Sequence, residues 1–226
     1  MYQTRTDDVR LKDGIQAWVM RPIESGQYPA LVMLPGRNGT SPAMLDVAVR
    51  FAEEGVVAMP VNYLSNGEVE NPGVVPMIGE ALEYLKTQPD VATDRIALSG
   101  YCRGGGLTYN GLAKYSEFTA GVIWHGAVND DSPKLNVPVI ILHGVSDPAV
   151  SIDRVFDLAK NLNEQGKFFQ LKTYSGTEHA FTLPGGGQYN PVAADDAFRE
   201  AVSFLRKCYG MPAGAVDPLV KEPVPA

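Results

Sequence analysis

The sequence contains few of the residues that build disulfide frameworks and metal sites. Among its 226 residues are two cysteines, Cys102 and Cys208, and three histidines. Two cysteines so far apart in a chain of this length are not typical of a disulfide framework, and we therefore expect a reducing, cytoplasmic location. No close spacing of histidine and cysteine is present, so the sequence predicts no metal site.

Long apolar runs and blocks of basic residues are also absent. The first eight residues are polar, which predicts neither a signal peptide nor a membrane span. The formal net charge is −7, and no basic stripe is present, so we expect neither nucleic acid nor an anionic membrane as a partner. With 45% hydrophobic and 20% charged residues, the composition is that of an ordinary globular domain.

Short apolar segments alternate with amphipathic segments along most of the chain. Segments 15–20, 30–34, 56–61, 95–99, 119–124, 138–143 and 168–174 read as strands, and 43–54, 74–86, about 103–114, 151–163 and 191–208 as helices. Asp13-Gly14 indicates the tight turn of an N-terminal hairpin. The pattern predicts one α/β domain over residues 1–210, with a mostly parallel central sheet and helices on both faces. Residues 211–226 read as a proline-rich tail.

The strongest chemical signal is Gly100-Tyr101-Cys102-Arg103-Gly104-Gly105, between a predicted strand and a predicted helix. This is the spacing of a nucleophile elbow, with cysteine in the place of serine. Side chains two residues before and two after the nucleophile would collide in so tight a turn, which explains Gly100 and Gly104. The following helix would stabilise negative charge on sulfur through its N-terminus. The alternative is a structural cysteine in a glycine-rich turn.

An elbow nucleophile requires an acid and then a histidine, in that order along the chain. Asp147 follows the segment 138–143, and His179 follows 168–174, so both are expected at the carboxyl ends of strands, where open α/β sheets place their sites. Taken singly, Asp147 could cap a helix and His179 could be an ordinary loop residue. Their order and placement together with Cys102 predict a Cys-His-Asp triad. His143 precedes the acid, and we expect a structural role for it.

Two backbone N–H groups are predicted to form an oxyanion hole, those of Arg103, after the nucleophile, and of Arg37, in the loop after 30–34. Five side chains are candidates for the substrate pocket, although packing in the core is the alternative, expected for two of them. These are Tyr63, Tyr101, Trp124, His125 and Phe181.

The motifs GYCRGG, HGVSD and GTEHAF, with their spacing, resemble those of the dienelactone hydrolase family from about Ile15 to Leu205. The resemblance implies an α/β-hydrolase fold, a cytoplasmic Cys-His-Asp esterase or lactonase, and no metal or organic cofactor. Two departures concern the substrate. Gly36 occupies the place of a loop glutamate that contacts the cysteine in the best-known members. Those members also carry an arginine shortly after the catalytic histidine, whereas residues 180–183 of this sequence include none. The resemblance therefore implies that this chain has the same triad, but it does not imply that dienelactone is the substrate.

The sequence as a whole predicts a hydrolase that cleaves a small ester or lactone through a thioacyl-enzyme, as a monomer or homodimer. Two alternatives stay open. An acyl or thiol transferase would use the same residues with a different acceptor, and a binding protein would keep the scaffold without catalysis.

Overall fold

The computed structural model describes residues 1–185 and 188–210 and contains one eight-stranded sheet in the order β1-β2-β4-β3-β5-β6-β7-β8. β1 and β2 pair antiparallel, β2 pairs antiparallel with β4, and β3 to β8 form a parallel array. The strands are β1 (Thr4–Arg10), β2 (Gln16–Pro22), β3 (Tyr28–Leu34), β4 (Val57–Asn62), β5 (Val91–Tyr101), β6 (Ala120–Trp124), β7 (Val139–Gly144) and β8 (Phe169–Tyr174). This confirms the predicted mostly parallel sheet.

Five α-helices cover the two faces of the sheet: α1 (Pro42–Glu53), α2 (Asn71–Lys86), α3 (Arg103–Lys114), α4 (Ile152–Glu164) and α5 (Pro191–Cys208). α2, α3 and α4 pack on one face, and α1 and α5 pack on the other. Along β3, Ala30, Val32 and Leu34 belong to the first core, whereas Leu31 and Met33 belong to the second. Because both faces are buried, the strand sequences are continuously apolar instead of alternating.

The N-terminal hairpin forms as predicted, with Arg10 opposite Gln16. Asp13 and Gly14 have φ of 57° and 77°, and the N–H of Ile15 donates to the carbonyl of Lys12 at 3.3 Å. Two consecutive positive φ values are what a type I′ turn requires, and Asp-Gly supplies them at low cost.

Two elements, α2 and β5, begin well before the predicted residue. α2 begins at Asn71 instead of residue 74, because Pro72 lies in its first turn, where a missing N–H costs nothing. β5 begins at Val91 instead of residue 95; a shift in its register with β3 and the exposed Asp94 hide this start in the sequence. The predicted tail, residues 211–226, lies outside the described residues.

Candidate active site

Cys102 occupies the turn between β5 and α3 and has φ 55° and ψ −115°. A positive φ at a residue with a side chain is strained, and such strain is typical of functional sites. A Cβ atom at Gly100 would overlap the carbonyl oxygen of Gly104, and one at Gly104 would overlap that of Leu34. Both glycines are therefore required for the close approach of strand, helix and loop, as the sequence predicted.

The backbone N–H groups of Arg103 and Arg37 both lower the pKa of the Cys102 thiol. Arg103 is the first residue of α3, and Arg37 lies in the loop after β3. The two residues predicted to supply the oxyanion hole therefore act electrostatically on the sulfur. Two N–H groups that converge on one point can stabilise a negatively charged atom there.

Gly36 lies beside the cysteine on its other side. A Cβ atom at position 36 would be 3.3 Å from Cys102 Cβ and 3.9 Å from Cys102 Sγ. Any side chain at this position would therefore contact the cysteine. Glycine leaves that side of the sulfur without a charged or polar group from this residue.

Asp147 lies in the loop after β7, and its side chain is completely buried. Its Oδ1 accepts hydrogen bonds from the N–H groups of Ala149 at 2.8 Å and Val150 at 2.9 Å. Its Oδ2 accepts a hydrogen bond from His179 Nδ1 at 2.7 Å. The two amides fix the carboxylate so that its second oxygen can orient the imidazole.

The electrostatics of the three residues favour a charged pair. The hydrogen bond to Asp147, followed by that to Cys102, raises the pKa of His179 to about 9 despite its partial burial. Burial raises the pKa of the Cys102 thiol, but His179 and the two backbone amides outweigh it, so that the pKa is lowered. Burial likewise raises the pKa of Asp147, and the bonds from His179 and the loop amides lower it overall. These shifts favour a thiolate beside an imidazolium.

His143 supports the acid without contacting the cysteine. Its Nε2 donates to the carbonyl oxygen of Val150 at 2.9 Å and lies 3.8 Å from Asp147 Oδ2. Val150 in turn donates its N–H to Asp147. His143 therefore holds the loop that carries the carboxylate, which is consistent with the structural role expected from the sequence.

All five pocket candidates are at most 1% exposed. Tyr101 and Trp124 stack on each other with ring centroids 5.1 Å apart, and Trp124 Nε1 donates to Ser99 Oγ at 2.9 Å. Both belong to the core on the α1 and α5 face. For these two residues the structure shows core packing, the alternative that the sequence left open, because the elbow strand ends at Tyr101 with this side chain turned into the core.

Tyr63 bonds the loop after β3, which carries Arg37. Its hydroxyl donates to the carbonyl oxygen of Pro35 at 3.0 Å, and burial raises the pKa of its phenol to about 12. His125 and Phe181 lie behind His179, with His125 centroid distances of 4.9 Å to His179 and 6.1 Å to Phe181. These three side chains are buried and therefore do not form the wall of an open pocket in this conformation.

The side chain of Arg103 has a role that the sequence did not indicate. Its Nε donates to Asn71 Oδ1 at 2.9 Å, and its guanidinium also bonds the carbonyl oxygen of Val69 and lies 5.4 Å from the Tyr63 ring centroid. The guanidinium thus fastens the loop between β4 and α2 beside the site. No motif links positions 69 and 71 to 103, so only the three-dimensional structure could reveal this contact.

A separate cleft of about 640 Å³ opens between α2, α3 and the loop after β6. It is lined by residues such as Asn110, Lys114 and Asp131, and none of the predicted site residues lines it. Asn71 alone connects it to the site, through its bond with Arg103. The strained cysteine, and not this cleft, is therefore the candidate for chemistry.

The parallel sheet, with a strained cysteine at the turn after its central strand, defines an α/β-hydrolase fold. A Klebsiella pneumoniae protein described as a candidate dienelactone hydrolase superposes with a TM-score of 0.85 at 19% identity, covering 91% of this chain and 99% of its own. The model of the dienelactone hydrolase family matches residues 15–209. The chain belongs to the dienelactone hydrolase family, and it is a hydrolase of esters or lactones.

Two curated relatives are consistent with this family. A Bradyrhizobium protein described as a probable 2-oxo-3-(5-oxofuran-2-ylidene)propanoate lactonase is 26% identical over 220 residues, covering 84% of this chain and 88% of its own. The human carboxymethylenebutenolidase homolog is 32% identical over 136 residues, covering 58% of this chain and 55% of its own. Within the described residues, the helices are too short or too polar to cross a membrane.

Proposed function

We propose that the protein hydrolyses a small ester or lactone with Cys102 as the nucleophile and a thioacyl-enzyme as the intermediate. The observation that carries the proposal is the 2.7 Å hydrogen bond between His179 Nδ1 and Asp147, together with the lowered pKa of the Cys102 thiol, which His179 and the N–H groups of Arg103 and Arg37 cause. His179 is only 20% exposed, and Asp147 is buried, so the imidazole is held in place before substrate arrives.

In the first half-reaction the thiolate of Cys102 attacks the carbonyl carbon, and the carbonyl oxygen becomes negatively charged. The N–H groups of Arg103 and Arg37, which face the sulfur, stabilise this oxyanion. The tetrahedral intermediate then collapses: the bond to the leaving oxygen breaks, and the imidazolium of His179 gives that oxygen a proton. The thioacyl-enzyme and an alcohol result; with a lactone, the alcohol remains attached to the acyl group.

In the second half-reaction neutral His179 takes a proton from water, and the resulting hydroxide attacks the thioacyl carbon. Collapse expels the thiolate of Cys102 and releases the carboxylic acid, while the proton remains on His179. Asp147 accepts a hydrogen bond from Nδ1 throughout and stabilises the imidazolium. The enzyme returns to its starting charge state, and no cofactor enters the balance.

The test is an assay with p-nitrophenyl acetate on the wild type and on Cys102→Ala, with Cys208→Ala as the matched control. Cys208 is the other cysteine, and its half-buried position raises the pKa of its thiol to about 11, so it should not react. We expect Cys102→Ala alone to lose the nitrophenol burst. Quenched wild type should carry one acetyl group on Cys102 by mass spectrometry.

Two outcomes would change the proposal. An acetylated Cys102→Ala variant would show a different nucleophile. An acyl group that passes to an added alcohol or thiol much faster than to water would indicate a transferase on the same residues. The cytoplasmic location and the monomeric or dimeric state stay predictions.

A further inference from the structure

His125 is a buried, strained residue that the proposed reaction does not use. It follows β6 directly, its φ is 40°, and only 1% of its surface is exposed. A positive φ at a histidine costs free energy, so the surrounding structure must hold it there. Its Nδ1 is also buried without a hydrogen-bond partner among the described residues. A residue with two such costs is expected to have a compensating role.

Two contacts connect His125 to the segment that carries the catalytic histidine. Its ring meets that of His179 edge to face, with centroids 4.9 Å apart and an interplanar angle of 68°. Its Nε2 and the Oγ1 of Thr182 are hydrogen-bonded at 3.1 Å, and Thr182 is itself buried. The two contacts are made three residues apart on the same loop. His125 therefore fixes both the ring of His179 and the backbone that follows it.

The charge of His125 suits this position. Burial, followed by the neighbouring His179, lowers its pKa to about 3, although Asp147 acts in the opposite direction. The ring therefore stays neutral across the working pH range. A second positive charge at this distance from His179 would disfavour the imidazolium that must protonate the leaving oxygen.

We propose that His125 is a positioning residue, which holds the imidazole of His179 between Asp147 and Cys102 through its ring contact and its hydrogen bond to Thr182. The proposal rests on the proposed function, because it assigns a role through His179. In the proposed reaction Nδ1 of His179 must stay hydrogen-bonded to Asp147 while Nε2 faces the sulfur of Cys102. A rotation of the imidazole about its side-chain bonds would break both contacts. The ring of His125, whose centroid is 4.9 Å from that of His179, would limit such a rotation.

The hydrogen bond distinguishes this role from plain packing. A phenylalanine at position 125 could fill the same space but could not bond Thr182. Likewise, Thr182→Val keeps the shape of the side chain and removes its hydroxyl, whereas Thr182→Ser keeps the hydroxyl. Thr182→Val therefore removes the hydrogen bond to His125 and keeps the volume of the side chain, whereas Thr182→Ser keeps the hydrogen bond and removes a methyl group.

The experiment measures three quantities for Thr182→Val, Thr182→Ser and His125→Phe: kcat and KM with p-nitrophenyl acetate, and the pH dependence of Cys102 alkylation by iodoacetamide. Relative to Thr182→Ser, we expect Thr182→Val to lower kcat about tenfold with KM within about twofold, because a small misplacement of a catalytic group costs mainly kcat. We also expect its alkylation inflection to move upward, towards that of an ordinary thiol. His125→Phe should change both quantities in the same direction.

Alkylation requires no turnover, so it reports the pairing of Cys102 with His179 even if the esterase proposal fails. The esterase proposal fails if Cys102→Ala keeps its activity. The positioning role is wrong if Thr182→Val matches Thr182→Ser in both kcat and alkylation profile. Thermal unfolding of each variant identifies a loss of fold, and if His125→Phe does not fold, the comparison at Thr182 decides.

Discussion

Gly36 lies beside Cys102, so that a Cβ atom at position 36 would lie 3.9 Å from the sulfur. The best-known members of the dienelactone hydrolase family carry a glutamate at the place of Gly36, and its negative charge would oppose a negative charge on the sulfur. In this chain the two amides and His179 act on Cys102 without such a carboxylate from position 36. The resting enzyme is therefore expected to contain a thiolate–imidazolium pair.

The first prediction concerns this resting state. Alkylation of substrate-free wild type by iodoacetamide, followed at Cys102 by mass spectrometry, should show an inflection below that of a free thiol, which is at about pH 8.5. Gly36→Glu should raise the inflection by about one pH unit or more relative to Gly36→Gln, because only the former adds a negative charge near the sulfur. The glutamine variant controls for the tight contact at this position. An inflection near 8.5 in wild type would show that the resting thiol is neutral.

The second prediction concerns the two partners of the cysteine. His179→Ala should lower kcat/KM about 10³-fold or more, since the three residues act as a unit. Asp147→Asn should have a similar or milder effect, because its amide can no longer stabilise the imidazolium that Oδ2 now contacts at 2.7 Å. Esterase assays with active-site titration measure both. Substantial wild-type activity in His179→Ala would contradict the assignment of the base.

The third prediction is a bell-shaped pH profile of kcat/KM. Activity should rise as Cys102 becomes a thiolate, which occurs below its ordinary pKa because that pKa is lowered. It should fall as pH passes about 9, where His179, whose pKa is raised to about 9, loses the proton that the leaving oxygen needs. Stopped-flow measurements from pH 5 to 10 with an ester whose leaving group requires protonation would follow both limbs. A profile that keeps rising to pH 10 would mean that His179 is not the acid.

The fourth prediction concerns the charge of the substrate. The guanidinium of Arg103 is bonded to Asn71 and Val69, and residues 180–183 after His179 include no arginine. The exposed side chain of Arg37, in the loop after β3, is therefore the candidate for binding a carboxylate. We expect a carboxylated lactone and its methyl ester to differ less than about tenfold in kcat/KM. A preference of about a hundredfold for the acid, about 2.7 kcal/mol, that disappears in Arg37→Gln would show that Arg37 binds the carboxylate.

Much of the fold could be predicted because helices bury both faces of the sheet, and this burial is reflected in the local sequence of the strands. Continuous apolar strands such as 30–34 indicated a sheet buried on both faces, and Gly100 and Gly104 indicated the turn around Cys102. Element starts were less predictable: Pro72 and Asp94 break the local pattern, and only tertiary packing places them inside α2 and β5.

Part of the candidate site could likewise be predicted from the sequence, and part could not. The positions of Cys102, Asp147 and His179 after their strands followed from chain order, and the structure brings these residues together. The orientation of aromatic side chains did not follow, because a residue at the end of a strand can face the core or the site. Tyr101 thus packs in the core instead of the site. The bonds of Arg103 are to residues more than thirty positions earlier, and no sequence pattern indicates such a contact.

All three histidines of the chain lie at this one site: His179 and His143 are 2.7 Å and 3.8 Å from Asp147 Oδ2, and His125 packs against the ring of His179. Selective ¹⁵N labelling of histidine would therefore give an NMR spectrum in which every signal comes from this site. Two of the three rings are expected to stay neutral and one to carry the proton, so their nitrogen shifts would be well separated. Acylation of Cys102 could then be followed through the single protonated ring, without background from the rest of the molecule.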